Sequence, residues 1–105
     1  MISGRRFRIV YHARLKSHLR AIDRRHHSLI REAIESQLTF EPDVETRNRK
    51  PLRDPLVFGG AWEIRFGPGN QFRVFYDIHR SALEVNILAI GQKRGNRLFI
   101  AGEEI

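Results

Sequence analysis

The sequence predicts an α+β fold: an N-terminal strand, a hairpin of two helices, and a three-stranded antiparallel meander, with the helices packed on one face of the sheet. Three observations support this fold class. Apolar residues alternate near the N-terminus, recur at helical spacing between residues 13 and 38, and alternate again from residue 62 onwards. The chain has 105 residues and neither an internal repeat nor a linker, so we expect a single domain over residues 1–105.

The first strand is predicted over residues 6–11, because Phe7, Ile9 and Tyr11 fall on one face of an extended chain. Two helices follow, because apolar side chains recur every three or four residues on both sides of a charged break at residues 23–27. These side chains are Leu15, Leu19, Ile22, Ile30, Ile34 and Leu38. So short a break predicts that the two helices form an antiparallel hairpin, and Pro42 closes the second helix.

The second half of the chain is predicted to be a long loop followed by strands. Residues 41–61 form the loop, which is punctuated by Pro42, Pro51, Pro55 and two glycines. Segments 62–66 and 72–78 alternate, whereas 83–90 is nearly all apolar, as is typical of a central strand. Turns at residues 67–70 and 79–82 join these strands into consecutive hairpins. The tail, residues 91–105, is basic at its start and is assigned no strand.

Charge is the most informative property of the composition. Nineteen lysine and arginine residues against twelve acidic residues give a formal net charge of +7 and a pI of about 11.0. Only Lys16, Lys50 and Lys93 are lysines, so the basic residues are mostly arginine, whose planar guanidinium binds phosphate through two hydrogen bonds. A nucleic-acid partner is therefore a candidate, and a merely solubilising surface is the alternative.

Several classes of function lack their sequence signals. The chain contains no cysteine, which excludes a disulfide framework and thiolate catalysis. It shows neither a signal peptide nor a stretch long enough to span a bilayer, so we expect a cytoplasmic protein. We find no Gly-rich phosphate loop and no metal-ligand spacing, and we expect no metal and no cofactor. All five histidines are interpreted as surface residues: His12, His18, His26, His27 and His79.

Four segments carry a resemblance to a known family: Arg-Lys-Pro-Leu at 49–52, Trp-Glu-Ile-Arg-Phe at 62–66, Phe-Arg-Val-Phe-Tyr at 72–76, and residues 85–91 followed by Lys93. Their order and spacing resemble the RelE/ParE toxin superfamily over nearly the whole chain. The resemblance implies the toxin of a type II toxin–antitoxin system, held inactive by an acidic antitoxin in a hetero-oligomer. That superfamily includes ribosome-dependent mRNA endoribonucleases and gyrase inhibitors on the same fold.

The ribonuclease members cleave mRNA through attack of a ribose 2′-hydroxyl on the neighbouring phosphate. If the predicted hairpin is centred on Gly69, Arg65 lies directly opposite Arg73, and the pair could form a phosphate clamp. An exposed pair of solvated arginines is the alternative. The resemblance favours the clamp, because ribonuclease members have basic residues at both positions and also at the position of Lys93. Our predicted catalytic residues are Arg65, Arg73, Lys93 and Glu63.

Two positions depart from the ribonuclease pattern. Glu63 stands where the best-known ribonucleases have a lysine, and it could either accept the 2′-hydroxyl proton or neutralise Arg65 and Arg73 as a structural partner. Phe99 stands where those ribonucleases have a tyrosine, and it can stack on a base but cannot transfer a proton.

Further basic and aromatic side chains are predicted to contact RNA. They are Arg49, Lys50, Arg53, Phe75, Arg94, Arg97 and Phe99. Phe75 shares the face of Arg73, so we expect it either to stack on a base or to seat an antitoxin side chain. For the residues around Lys93, a basic tail that meets solvent or an acidic antitoxin is the alternative.

The leading hypothesis is a translation-inhibiting, ribosome-dependent mRNA endoribonuclease. A non-catalytic gyrase inhibitor is the second hypothesis, and Glu63 and Phe99 favour it. The third is an inactive toxin homologue that survives as a partner or corepressor of its antitoxin.

Overall fold

The computed structural model describes residues 5–54 and 59–105 and shows the predicted α+β order. The strand β1 (Arg8–Tyr11) leads into the helices α1 (Leu15–Arg20) and α2 (His27–Leu38), which a 3₁₀ turn at Arg24–His26 joins. The later strands are β2 (Arg49–Pro51), β3 (Trp62–Phe66), β4 (Phe72–His79), β5 (Glu84–Arg94), β6 (Arg97–Ile100) and β7 (Glu103–Glu104). The predicted order of a strand, two helices and an antiparallel meander is therefore confirmed.

Within the described residues, the strands form one seven-stranded sheet with the order β2–β3–β4–β5–β6–β7, and these neighbours are all antiparallel. The strand β1 pairs in parallel with the first half of β5, from Arg8 opposite Glu84 to Tyr11 opposite Ile87. The strand β6 pairs with the second half of β5. The strand β5 is thus central, which accounts for its nearly continuous apolar sequence.

The sheet extends beyond the predicted three-stranded meander at both ends. Part of the predicted loop forms β2, which pairs with β3, while the tail forms β6 and β7. Gly95 has a φ of 62°, a left-handed conformation that glycine adopts without strain, and with Asn96 it makes the turn between β5 and β6. Pro55, one of the predicted loop residues, lies outside the described residues.

The main core lies between the sheet and the helices. It joins the predicted helix stripes to alternate residues of the strands, and we call this side of the sheet the helix face. Its buried residues are Phe7, Leu15, Ile22, Ile30, Ile34, Leu38, Ile64, Phe66, Phe72, Val74, Tyr76, Val85, Ile87 and Ile90. The positions at i, i+4 and i+8 of α2 supply Ile30, Ile34 and Leu38, as the periodicity predicts.

A smaller cluster covers part of the opposite side of the sheet, which we call the outer face. Phe75, Ala89 and Ile100 form it, and Leu52 and Leu98 pack against them. The strand β4 is therefore buried on both faces from Phe72 to Tyr76.

The helices are short. The helix α1 has 6 residues and α2 has 12, and neither helix in the described residues is long and apolar enough to cross a membrane. The His27 ring stabilises the end of α1, because its Nε2 lies 2.9 Å from the carbonyl oxygens of both Leu19 and Ile22.

Candidate functional site

Arg65 on β3 and Arg73 on β4 lie directly opposite each other in the antiparallel register, as the hairpin spacing predicts. Both belong to the outer face, because Ile64 and Val74, which precede and follow them along the strands, lie in the core of the helix face. The 3₁₀ turn Pro68–Asn70 joins the two strands next to this pair. Two guanidinium groups therefore meet on one face of the sheet.

Glu63 lies between the two arginines. Its Oε1 is 3.2 Å from Nε of Arg65, and its Oε2 is 3.3 Å from Nη1 of Arg73. The Glu63 side chain is 8% exposed, that of Arg73 is 10% exposed, and that of Arg65 is 40% exposed. Nε of Arg73 also donates a hydrogen bond to the Asn70 carbonyl oxygen at 3.4 Å. The carboxylate thus offsets the repulsion between two opposed cations, and one of these cations remains open to solvent.

Two lysines flank this group. Lys50 lies opposite Glu63 in the β2–β3 ladder and is exposed. Lys93 lies two residues beyond Gly91, which is opposite Arg73. Neither lysine forms an ion pair with a described residue. Two arginines thus contact the Glu63 carboxylate and two lysines lie on the same face of the sheet. We call Lys50, Glu63, Arg65, Arg73 and Lys93 the cationic face.

Phe75 does not have the predicted role of an exposed platform for a base or an antitoxin side chain. It lies opposite Glu63 on the outer face, but it is only 2% exposed. Its ring is part of the cluster that Leu52 and Leu98 cover. Because those two side chains occupy the surface above it, Phe75 offers no ring face to RNA in this structure.

Arg49 also departs from its predicted role in RNA binding. It is 6% exposed, and β2 directs it to the helix face, opposite Ile64. Its Nη1 donates to the Val44 carbonyl oxygen and its Nη2 donates to that of Gln37, both at 3.0 Å. The guanidinium therefore ties the end of α2 to the loop that follows it, which leaves it no surface for RNA.

Arg94, Arg97 and Phe99, three further predicted RNA contacts, do not form one surface with the cationic face. Arg94 lies opposite Arg97 and Phe99 lies opposite Gln92, so the register directs all of them to the helix face. There the Arg94 guanidinium lies 5.1 Å from the centre of the Phe99 ring, a cation–π geometry. Arg53 is exposed just after β2. The predicted set is thus divided between two faces.

His18 is a buried polar residue that the sequence interpretation placed wrongly at the surface. It is 7% exposed, and its Nδ1 accepts a hydrogen bond of 3.1 Å from the backbone N–H of Ile90. Burial lowers its pKa, and the positive charges of Arg14 and His12 lower it further. The spacing of Leu15, His18 and Ile22 on one helix stripe could have indicated this burial.

A search of solved structures found similarity to the crystal structure of the toxin–antitoxin complex RelBE2 from Mycobacterium tuberculosis. The match has 22% sequence identity and a TM-score of 0.69, and it covers 89% of this chain and 98% of the matched chain. No protein-family model matches the sequence, and no curated protein matches it significantly. The chain has a RelE-type toxin fold.

On this RelE-type fold, a groove of about 1080 Å³ separates β1 from α2. Leu29 of α2 and Phe40, which follows the end of α2, line it and are 40% and 53% exposed. At the groove, burial and the negative charge of Glu35 raise the pKa of Tyr11 to about 12. Within residues 5–54 and 59–105, no group of three or more His, Cys, Asp or Glu could hold a metal ion.

Proposed function

We propose that this chain is the toxin of a type II toxin–antitoxin system and that it inhibits translation as a ribosome-dependent mRNA endoribonuclease. The RelE-type fold and the net charge of +7 support the first part of this proposal. The cationic face supports the second part, because it gathers four basic side chains where an RNA phosphate could approach from solvent.

The opposed pair of Arg65 and Arg73 carries the proposal. In the proposed reaction, a ribose 2′-oxygen passes its proton to a base and attacks the adjacent phosphorus. The bond from phosphorus to the 5′-oxygen breaks, and water supplies the proton that the leaving 5′-oxygen takes up. The products are a 2′,3′-cyclic phosphate and a 5′-hydroxyl end. The transition state gathers negative charge on the phosphoryl oxygens, and preorganised cations stabilise that charge. Lys93 extends the same surface, at the diagonal separation of about 7–8 Å from Arg73 that neighbouring strands impose.

An acidic antitoxin is the partner that this charge favours, and we propose a toxin–antitoxin hetero-oligomer in the cytoplasm, where the ribosomes are. A short acidic reading frame beside the gene for this chain, whose product binds it in a pull-down at moderate salt, would support that partnership.

The ribonuclease proposal is tested by adding the purified chain to a reconstituted translation system and mapping new RNA 5′ ends. We expect cuts in translated mRNA that disappear when ribosomes are left out. Arg65→Ala should reduce the cleavage rate at least about 100-fold, the usual scale for removal of one transition-state contact. Arg31→Ala is the matched control, because Arg31 is an exposed arginine on α2 whose side chain is 75% exposed.

Normal translation at a large excess of the chain would overturn the ribonuclease proposal. Cuts that are insensitive to Arg65→Ala would instead show that another surface carries the chemistry. If expression of the chain without an antitoxin is harmless to the cell, the remaining interpretation is an inactive homologue that acts as antitoxin partner or corepressor.

A gyrase inhibitor is the second candidate function. Two observations favour it: Glu63 neutralises part of the clamp, and Phe99 lies on the other face of the sheet from Arg65 and Arg73. Loss of gyrase supercoiling on addition of the chain, with intact mRNA in the translation assay, would establish this candidate in place of the ribonuclease.

A further inference from the structure

Glu63 could act as the base of the proposed reaction or as a support for the arginines. We infer that Glu63 is a positioning residue: it holds the Arg65 guanidinium so that its two terminal nitrogens face an incoming RNA phosphate. This inference rests on the proposed phosphate-binding role of the cationic face. It concerns a position at which the chain departs from the ribonucleases it resembles.

The contact geometry separates the two edges of the Arg65 guanidinium. Glu63 accepts from Nε, while Nη1 and Nη2 make no hydrogen bond to any residue of the described chain. The side chain is 40% exposed, so these terminal nitrogens can be reached from solvent. The paired donors of a guanidinium match two oxygens of one phosphate, provided that its plane is fixed.

Arg73 holds the Glu63 carboxylate in place. Its side chain is only 10% exposed, and it donates both to Glu63 and to the Asn70 carbonyl oxygen. It anchors Oε2 of Glu63, so that Oε1 is held where Nε of Arg65 meets it. A group that supports a ligand-binding side chain in this way restricts its rotation before the ligand arrives.

The base role fits the geometry less well. Both carboxylate oxygens of Glu63 already accept from arginine, and the side chain is 8% exposed. To take a proton from a 2′-hydroxyl, Glu63 would have to break one of these contacts. Its negative charge leaves the site attractive to phosphate, because Lys50 and Lys93 add two cations that no described carboxylate pairs.

The test measures binding of a short single-stranded oligonucleotide with 2′-deoxy sugars, which cannot be cleaved by the proposed reaction. Glu63→Asp keeps the charge but shortens the reach to Nε of Arg65, and Arg65→Lys keeps the charge but removes the paired donors. We expect each variant to bind about 10-fold more weakly, and the double variant to bind no more weakly than either single one. Arg31→Lys makes the same exchange at an exposed arginine of α2 that is paired through Nε with Glu35 and lies outside the cationic face, so it should bind like the parent chain.

Affinity within about twofold of the parent for Glu63→Asp would overturn the inference, because charge alone would then explain the residue. If Glu63→Asp does not fold, Glu63→Gln with and without Arg65→Lys gives the same cycle, and additive losses overturn the inference. A variant Glu63→Gln that binds normally but loses cleavage would also overturn it, since Glu63 would then be the base. If the variants show the coupled losses in binding but the parent chain never cleaves RNA, the inference is supported and the ribonuclease proposal is contradicted.

Discussion

Arg49 and Lys50 are neighbours in β2 but point to opposite faces of the sheet, and this difference decides what each contributes. Arg49 is buried and donates to two backbone carbonyl oxygens, whereas Lys50 is exposed beside Glu63. Removing a charged donor that leaves partly buried carbonyl groups unpaired is costly, but removing an exposed lysine is not.

We therefore expect Arg49→Ala to lower the free energy of unfolding by about 2–3 kcal/mol and Lys50→Ala to change it by no more than about 0.5 kcal/mol. Urea unfolding followed by circular dichroism measures both. The order of the two variants should be reversed in oligonucleotide binding, because only Lys50→Ala should lower the affinity of the folded protein for the oligonucleotide. Comparable stability of the two variants would show that the Arg49 contacts do not support the loop after α2.

His18 makes stability depend on pH. Its Nδ1 can accept the Ile90 N–H only when the ring is neutral, and its folded-state pKa lies below the ordinary value of 6.5. The unfolded chain therefore binds this proton more readily than the folded one as pH falls. The stability that the neutral His18 ring contributes is fully present above pH 6.5. It is lost as the pH falls from 6.5 through the folded-state pKa of His18.

His18→Gln removes the titrating group but keeps an acceptor for Ile90. We expect its free energy of unfolding to decline less than that of the parent chain between about pH 7 and pH 5. His79→Gln is the control, because His79 is exposed at the end of β4, and it should follow the parent curve. If both variants follow the parent curve, His18 is not the source of the pH dependence.

At these positions the sequence could predict which side chains have the chemistry to bind RNA, but not which face of the sheet each of them occupies. The opposition of Arg65 and Arg73 follows from the hairpin spacing alone. The burial of Arg49 and Phe75 depends on which face β2 presents to β3 and on what Leu52 and Leu98 cover. Those are long-range facts of register and packing, which a pattern within one segment does not contain.

At the scale of elements, the hairpin of β5 and β6 depends on two glycines with different constraints. A Cβ at Gly91 would lie 2.9 Å from the Phe99 carbonyl oxygen and 3.0 Å from side-chain carbons of Ile100 and Leu98. A Cβ at Gly95 would meet nothing within 4 Å, but the backbone there has a φ of 62°. Gly91 is thus needed for close approach of the strands, and Gly95 for the conformation of the turn.

Gly91→Ala should push β6 away from β5 and lower the free energy of unfolding by about 1–3 kcal/mol, as overpacking does. Gly95→Ala should cost about 1 kcal/mol of backbone strain and leave the strand pairing intact. Amide hydrogen exchange separates the two effects, because only Gly91→Ala should speed exchange throughout β6. If amide exchange in β6 is faster only in Gly95→Ala, then Gly95 and not Gly91 is the glycine on which the pairing of β5 and β6 depends.

The helices were predictable because their apolar period is local, and β3 and β4 because their alternation is. The sequence pattern does not indicate β6 and β7, because charged residues at 93, 94 and 97 obscure the alternation. The dipeptide Gly95-Asn96, which precedes β6, is a hairpin signal that could have indicated its pairing with β5. The strand β2 has three residues amid prolines, and only its pairing with β3 defines it.

At the scale of the whole molecule, the basic residues divide between the two faces of one sheet. Lys50 and Lys93 belong to the cationic face, while Arg94 and Arg97 lie on the helix face at the far end of β5. The net charge of +7 attracts any polyanion to either side. A single RNA strand held by Arg65 and Arg73 can contact only one of these faces closely.

Two double variants that remove the same charge test this division. Lys50→Ala with Lys93→Ala should flatten the dependence of log affinity on log salt for single-stranded RNA by about 0.7 for each phosphate that the protein no longer neutralises. Arg94→Ala with Arg97→Ala removes as much charge from the face that the bound RNA does not contact, so it should flatten the slope much less. Equal reductions of the slope would mean that RNA contacts both faces, with Arg94 and Arg97 binding RNA as the sequence predicts. A reduction confined to the arginine variant would place the RNA on the helix face and remove the cationic face from the proposed function.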